Sequence, residues 1–179
     1  MFKLAPCDID FVNTAPWRFF NRTVVSAPPE VVFEVISSSE LEKEWFPDFV
    51  GAQWLTPEPQ RVGSLRRYEL TYMTILEEFL VWEPGKRMAF RLNEMSIPLL
   101  RRCLEYYSLI PTEDGGTELL WQVCYDPNPL MRPLRPVLDP LFRRDFRKAT
   151  AQLTALVERL GVPRRKIHAE SGVLAPACA

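Results

Sequence analysis

The sequence predicts an α+β domain built from an antiparallel sheet and one long helix near its C-terminal end, and three observations predict it. From Val137 to Leu160 the apolar residues Leu138, Phe142, Phe146, Ala149, Leu153, Leu156 and Leu160 recur at steps of four and three. They fall on one stripe of an α-helix about 36 Å long. Ahead of it, short segments rich in aromatic and β-branched residues alternate with turn residues, as strands do. The order is also telling: one strand, two short helices, then strands without interruption until the long helix. Such a rod needs a curved sheet to lie against, and a sheet that grips a helix leaves a hollow beside it.

Trp17 to Val25 reads as the first strand. Ser26-Ala27-Pro28-Pro29-Glu30 has the form of a helix start, with Pro in the first turn and Val31, Val32, Val35 and Ile36 following. Ser37-Ser38-Ser39 breaks that helix, and Glu40 to Trp45 makes a second, ended by Pro47. Six strands follow: Phe49 to Leu55, Ser64 to Thr71, Ile75 to Trp82, Lys86 to Leu92, Cys103 to Ile110 and Thr117 to Tyr125. Asp114-Gly115-Gly116 supplies positive φ cheaply and joins the last two as a hairpin; Glu83-Pro84-Gly85 marks another turn. Five prolines at 127, 129, 133, 136 and 140 predict a rigid lead-in to the long helix.

Composition excludes several classes of function. A chain of 179 residues, 47% hydrophobic and 25% charged, fits one domain. Its 22 Lys and Arg against 23 Asp and Glu give a net charge of −1 and no electrostatic reason to expect nucleic acid. No apolar run reaches the roughly 18 residues of a membrane span, and no secretory leader is recognisable, so a cytoplasmic protein is expected. Cysteines 7, 103, 124 and 178 lack Cys-x-x-Cys spacing and are expected to be reduced. The single histidine, His168, lies beyond the long helix, which argues against a His-based triad or a metal site within the domain. No Gly-x-Gly-x-x-Gly array is present, and neither a cofactor nor a metal is expected.

Several stretches together resemble a known family: Ser26-Ala-Pro-Pro-Glu-Val-Val-Phe-Glu-Val-Ile, Trp45-Phe-Pro, Val62-Gly-Ser, Trp82-Glu-Pro-Gly-Lys-Arg-Met-Ala-Phe and Gly115-Gly-Thr-Glu-Leu-Leu-Trp. They look like the polyketide cyclase/dehydrase branch of the START-like (SRPBCC) superfamily. The resemblance implies a helix-grip fold, a seven-stranded antiparallel sheet wrapped around the C-terminal helix with an apolar ligand cavity inside. On that basis residues 1–15 form an N-terminal extension, 16–160 the ligand-binding domain and 161–179 a flexible tail.

Candidate cavity residues follow from strand parity and from the resemblance. A hairpin turning near Tyr72 sets Leu65 opposite Leu80 and Arg67 opposite Glu78, and the family register at Trp82-Glu-Pro-Gly turns that face inward. The other face, with Tyr68, Leu70, Ile75, Phe79 and Val81, is about as apolar, so periodicity alone leaves the choice open. An Arg opposite a Glu in an apolar cup either orients a polar ligand group or forms a self-satisfied ion pair. Glu105 and Tyr107 share a strand face, and the register at Gly115-Gly-Thr sets Trp121 beside them. Trp45 and Phe46 resemble a gate element at the cavity mouth or, alternatively, a plug between helix and sheet. Trp82, Phe90, Phe142 and Phe146 complete the expected lining. Cys103 and Cys124 fall on opposite faces and are not expected to bridge. Two functions are expected from these features: a carrier for a hydrophobic small molecule such as a lipid, isoprenoid or polyketide, or a cyclase/dehydrase-type enzyme that moves protons with a carboxylate or tyrosine.

Overall fold

The structure, a computed structural model, describes residues 1–161, so His168 and Cys178 lie outside the described residues. The elements are β1 (Phe2–Lys3), α1 (Phe11–Thr14), β2 (Trp17–Val25), α2 (Pro29–Ser37), α3 (Glu42–Trp45), β3 (Phe49–Trp54), β4 (Leu65–Leu70), β5 (Met73–Glu83), β6 (Arg87–Met95), β7 (Leu100–Pro111), β8 (Thr117–Pro127) and α4 (Arg135–Gly161). A 3-10 turn over Pro129–Leu134 leads into α4. All pairings are antiparallel, in the order β2-β8-β7-β6-β5-β4-β3, and β1 adds an eighth strand on β6.

The expected wrap of a sheet about a terminal helix is present. The helix α4 packs against β2, α2 and α3, and its Ala149, Leu153, Leu156 and Val157 are buried in the main core. Leu160, expected on that stripe, is exposed instead, and Val157 takes the inward place at the last turn. Helix α4 also begins earlier than its prolines predict. Pro136 sits in its first turn, where a missing N–H is harmless, and Pro140 lies inside the helix, forfeiting one backbone bond. The ion pair of Arg159 with Glu44 ties the far end of α4 to α3.

Strand alternation places one set of side chains inward and the other outward. On β7 and β8 the register pairs Leu109 with Leu119, Tyr107 with Trp121 and Glu105 with Val123, all facing α4, as the hairpin glycines predict. Cys103 faces inward with them, whereas Cys124 faces outward.

The first sixteen residues close a seam in the sheet. Strands β6 and β7 pair only where Arg87–Arg91 runs against Leu104–Ser108. Beyond that point residues 2–5 fill the gap: Phe2 and Lys3 pair with Met95 and Glu94, the Leu4 N–H donates to the Asn93 carbonyl at 2.8 Å, and the Ala5 N–H donates to the Arg101 carbonyl at 2.8 Å. Helix α1 then lays Phe11 on the outer face against Leu104 and Cys124, with the Arg102 guanidinium 4.7 Å above its ring.

Candidate functional site

Between the inner face of the sheet, α3 and the first half of α4 lies a cavity of about 110 Å³. Ten of its lining residues are aromatic. Phe46 meets Tyr68 edge-on at 5.9 Å, Phe146 meets Trp121 edge-on at 4.9 Å, and Tyr107 stacks on Trp121 at 5.2 Å. These arrangements suit the ring quadrupole and fix the wall's shape. Asp48 and Tyr72 line the cavity and are themselves exposed, and the lining Asp145 is half-buried, which marks where the cavity meets solvent.

Deep in the cavity wall stands a buried charge cluster. The Arg66 Nη1 donates to Glu42 Oε2 at 2.9 Å, and its Nε donates to Glu77 Oε2 at 2.6 Å. Its guanidinium lies 5.0 to 5.8 Å from the ring centres of Tyr68, Trp54, Phe79 and Phe90. Burial works against the Arg66 charge, but Glu42 and Glu77 outweigh it and hold the guanidinium protonated. Burial raises both carboxyls, Glu42 to about 8. One guanidinium offsets one carboxylate, so the trio is poised to keep a proton on one of its acids at neutral pH.

Glu105 stands apart from that trio. Its Oε2 accepts from the Trp121 Nε1 at 2.9 Å and from the Tyr107 hydroxyl at 3.2 Å, both neutral donors. No salt-bridge partner reaches it among the described residues. Among the described residues its Oε1 takes no hydrogen bond, and Glu105 keeps accessible surface on the cavity wall. Burial pushes this carboxyl up to about 7, against the pull of the Trp121 and Tyr107 hydrogen bonds. Among the described residues no group of His, Cys, Asp and Glu is placed to hold a metal ion, and no helix is long and apolar enough to cross a membrane.

Of the residues singled out from sequence, Trp45, Phe46, Phe90, Glu105, Tyr107, Phe142 and Phe146 lie on this wall. Trp121 stands directly behind it as the partner of Glu105. Trp45 is 2% exposed and packs edge-on against both Phe46 and Trp121, so it is a plug, while Phe46 is only partly buried and reaches the cavity. Trp82 is displaced to the end of the sheet, among Phe33, Trp54 and Phe79.

The β4–β5 assignment is corrected by the structure. The turn is Thr71-Tyr72, which pairs Leu70 with Met73, Arg66 with Glu77 and Leu65 with Glu78. Arg67 therefore does not oppose Glu78; it lies exposed and pairs with Glu69 along its own strand at 3.0 Å. Glu78 sits on the outer face, where Asn93 and Arg91 each donate to it at 2.8 Å and hold its carboxyl below the ordinary range. Leu80 packs on the outer cluster with Phe11, and Leu65 shares the strand face of Arg67. A bulge between Phe79 and Val81 is the physical reason: it places Trp82 and Phe79 on the same side, so counting back from Trp82 by twos selects the wrong face.

The sequence reading missed Arg66, Glu77 and Glu42. Glu42 was within reach, because it stands three residues before Trp45 in a short helix and so shares its face. The other two were hidden by the bulge.

Comparison with known proteins agrees with this architecture. Residues 17–158 match the family described as polyketide cyclase/dehydrase and lipid transport. Uncharacterized proteins of Mycobacterium tuberculosis and Mycobacterium bovis are 32% identical to the chain over 150 residues, covering 79% of it and 89% of their own length. Among solved structures, the Zhui aromatase/cyclase of a Streptomyces species superposes with a TM-score of 0.68 at 15% identity, covering 80% of this chain and 94% of that one. A START superfamily protein of Mycobacterium smegmatis superposes with a TM-score of 0.64 at 17% identity, covering 80% and 98%. A helix-gripping antiparallel sheet, an aromatic cavity and the match over residues 17–158 lead to one conclusion: the chain belongs to the polyketide cyclase/dehydrase and lipid transport family.

Proposed function

We propose that the protein binds a hydrophobic, ring-containing small molecule in this cavity and acts as its carrier. The observation that carries the reading is a cavity rich in aromatic rings, apolar but for the Arg66 cluster, Glu105 and the acids at its mouth, into which Glu105 presents one unused oxygen. The rings supply dispersion and stacking, and Glu105 supplies a single directional anchor for a polar group of the guest. At about 110 Å³ the space is smaller than the roughly 150 Å³ cavities known to take up benzene. A guest larger than one ring therefore enters only as Phe46, Phe142 and Phe146 swing aside, which makes these three the gate.

The test is organic extraction of purified protein followed by mass spectrometry, together with titration of the neutral fluorophore N-phenyl-1-naphthylamine. A stoichiometric apolar guest, or probe binding that Phe146→Arg abolishes, supports the carrier. An extract without guest and a probe that ignores the protein would sink it.

A second reading is favoured by one specific observation. A carboxyl near 7 with an open oxygen in an apolar cavity is suited to give and take a proton at neutral pH, as a cyclase/dehydrase-type enzyme needs. That enzyme would turn over a poly-carbonyl substrate with a pH profile set by Glu105, and Glu105→Gln would abolish turnover while retaining the guest. Equal turnover by the variant would remove Glu105 from the chemistry.

A further inference from the structure

The segment that leads into α4 and the first turns of that helix expose a run of large apolar side chains. Leu130, Leu134, Val137 and Leu141 are 85%, 49%, 64% and 49% exposed within one short stretch. Between residues 129 and 148 the sequence holds six Arg and Lys against two Asp, in a chain whose net charge is −1. Apolar exposure and positive charge are thus concentrated in the same place.

Geometry orders the two properties. Val137, Leu141, Arg144 and Lys148 follow at steps of four, three and four and share one stripe of α4. The stripe that carries Phe142, Phe146 and Ala149 is already used against the core. Helix α4 is therefore amphipathic twice over: one stripe builds the cavity, and the other offers two apolar turns followed by two basic ones. The Arg144 side chain is 79% exposed and makes only a long, solvent-exposed ion pair with its neighbour Asp145, at 3.9 Å. The two stripes stand about 100° apart round the helix, since Leu141 is one residue from the cavity residue Phe142.

We propose that Leu130, Leu134, Val137 and Leu141, with Arg144 and Lys148, dock the protein on an anionic lipid surface, bringing the cavity mouth to that surface. Leucines of this kind enter the boundary between headgroups and acyl chains, and the basic turns beside them meet the anionic headgroups. A second copy of the chain fits less well, because a two-fold contact would press one positive segment against its twin. The residues after Gly161 include Arg164, Arg165 and Lys166 and so share the sign of the patch.

Co-sedimentation with vesicles tests the proposal on the full chain. Vesicles of phosphatidylcholine with phosphatidylglycerol should retain the protein, and vesicles of phosphatidylcholine alone should not; added salt should weaken the retention. Leu130→Glu combined with Val137→Glu should abolish binding. Arg144→Glu combined with Lys148→Glu should weaken it at least about tenfold. All four positions are exposed, and circular dichroism checks that both variants keep the fold. The proposal is overturned if the wild-type chain ignores the anionic vesicles, if it binds neutral ones equally, or if the variants bind as well as the wild type. It is equally overturned if sedimentation velocity shows a wild-type dimer that the glutamates dissolve. Naphthylamine binding is read separately in each variant, so a failure of docking and a failure of the cavity reading are told apart.

Discussion

Arg66 is the residue on which the interior depends most. It is 1% exposed, bonds two carboxylates and is boxed by four rings. Arg66→Met strands Glu42 and Glu77 without a counter-charge and should cost about 3–5 kcal/mol in urea denaturation. Adding Glu42→Gln and Glu77→Gln should recover much of that loss; a single-variant loss below about 1 kcal/mol, the worth of an exposed pair, would show the cluster to be solvated. The buried acids also set a pH dependence. Glu42 and Glu105 bind their protons more tightly folded than unfolded, at about 8 and about 7 against 4.5. The stability they contribute is full below 4.5 and is lost as pH rises through about 7 and 8. Denaturation over a pH series should show this decline, flattened near 7 in Glu105→Gln; a rise in stability over the same window would contradict it. Legibility at this scale was uneven. Glu105, Tyr107 and Trp121 were found because Gly115-Gly116 fixes their register. The doublets Arg66-Arg67 and Glu77-Glu78 match an Arg to a Glu in either of two registers, so side-chain chemistry could not choose between them.

Elements show where local signals suffice. Strand β2 runs over the residues its composition marks out, and the hairpin between β7 and β8 forms at its glycines. Gly115 has a φ of +82°, and a Cβ on Gly116 would stand 2.7 Å from the Val25 carbonyl oxygen, where β2 ends beside the hairpin. Gly116→Ala should therefore destabilise the protein by about 1–3 kcal/mol. Gly51→Ala, with nothing within 4 Å of the added Cβ and no positive φ, should be neutral or slightly stabilising. Comparable thermal midpoints for the two variants would refute the close approach. Elements β1 and α1 escaped the sequence reading because two and four residues are too few to display a period. The start of α4 was misplaced because proline was weighed as a breaker, although two of them sit where a helix tolerates them or loses one bond.

At the scale of the whole molecule, element order carried the fold, since a terminal amphipathic helix after consecutive antiparallel strands has few ways to bury its stripe. Nothing in that order specified the guest, because the cavity's character comes from side chains of eight elements meeting far apart in sequence. Occupancy should be visible globally. Stripping the protein of its guest should lower the melting temperature, and returning the extract should raise it in proportion to the logarithm of its concentration. An unchanged midpoint would mean that the guest does not reside in the folded interior. The stitch formed by residues 2–5 has a consequence of its own. It lies where β6 and β7 part, beside Met95, Leu99 and Leu100, which line the cavity. Peeling it back would leave β6 and β7 unbridged there, so chains trimmed to begin at Pro6 should release a trapped fluorophore faster than the full chain does.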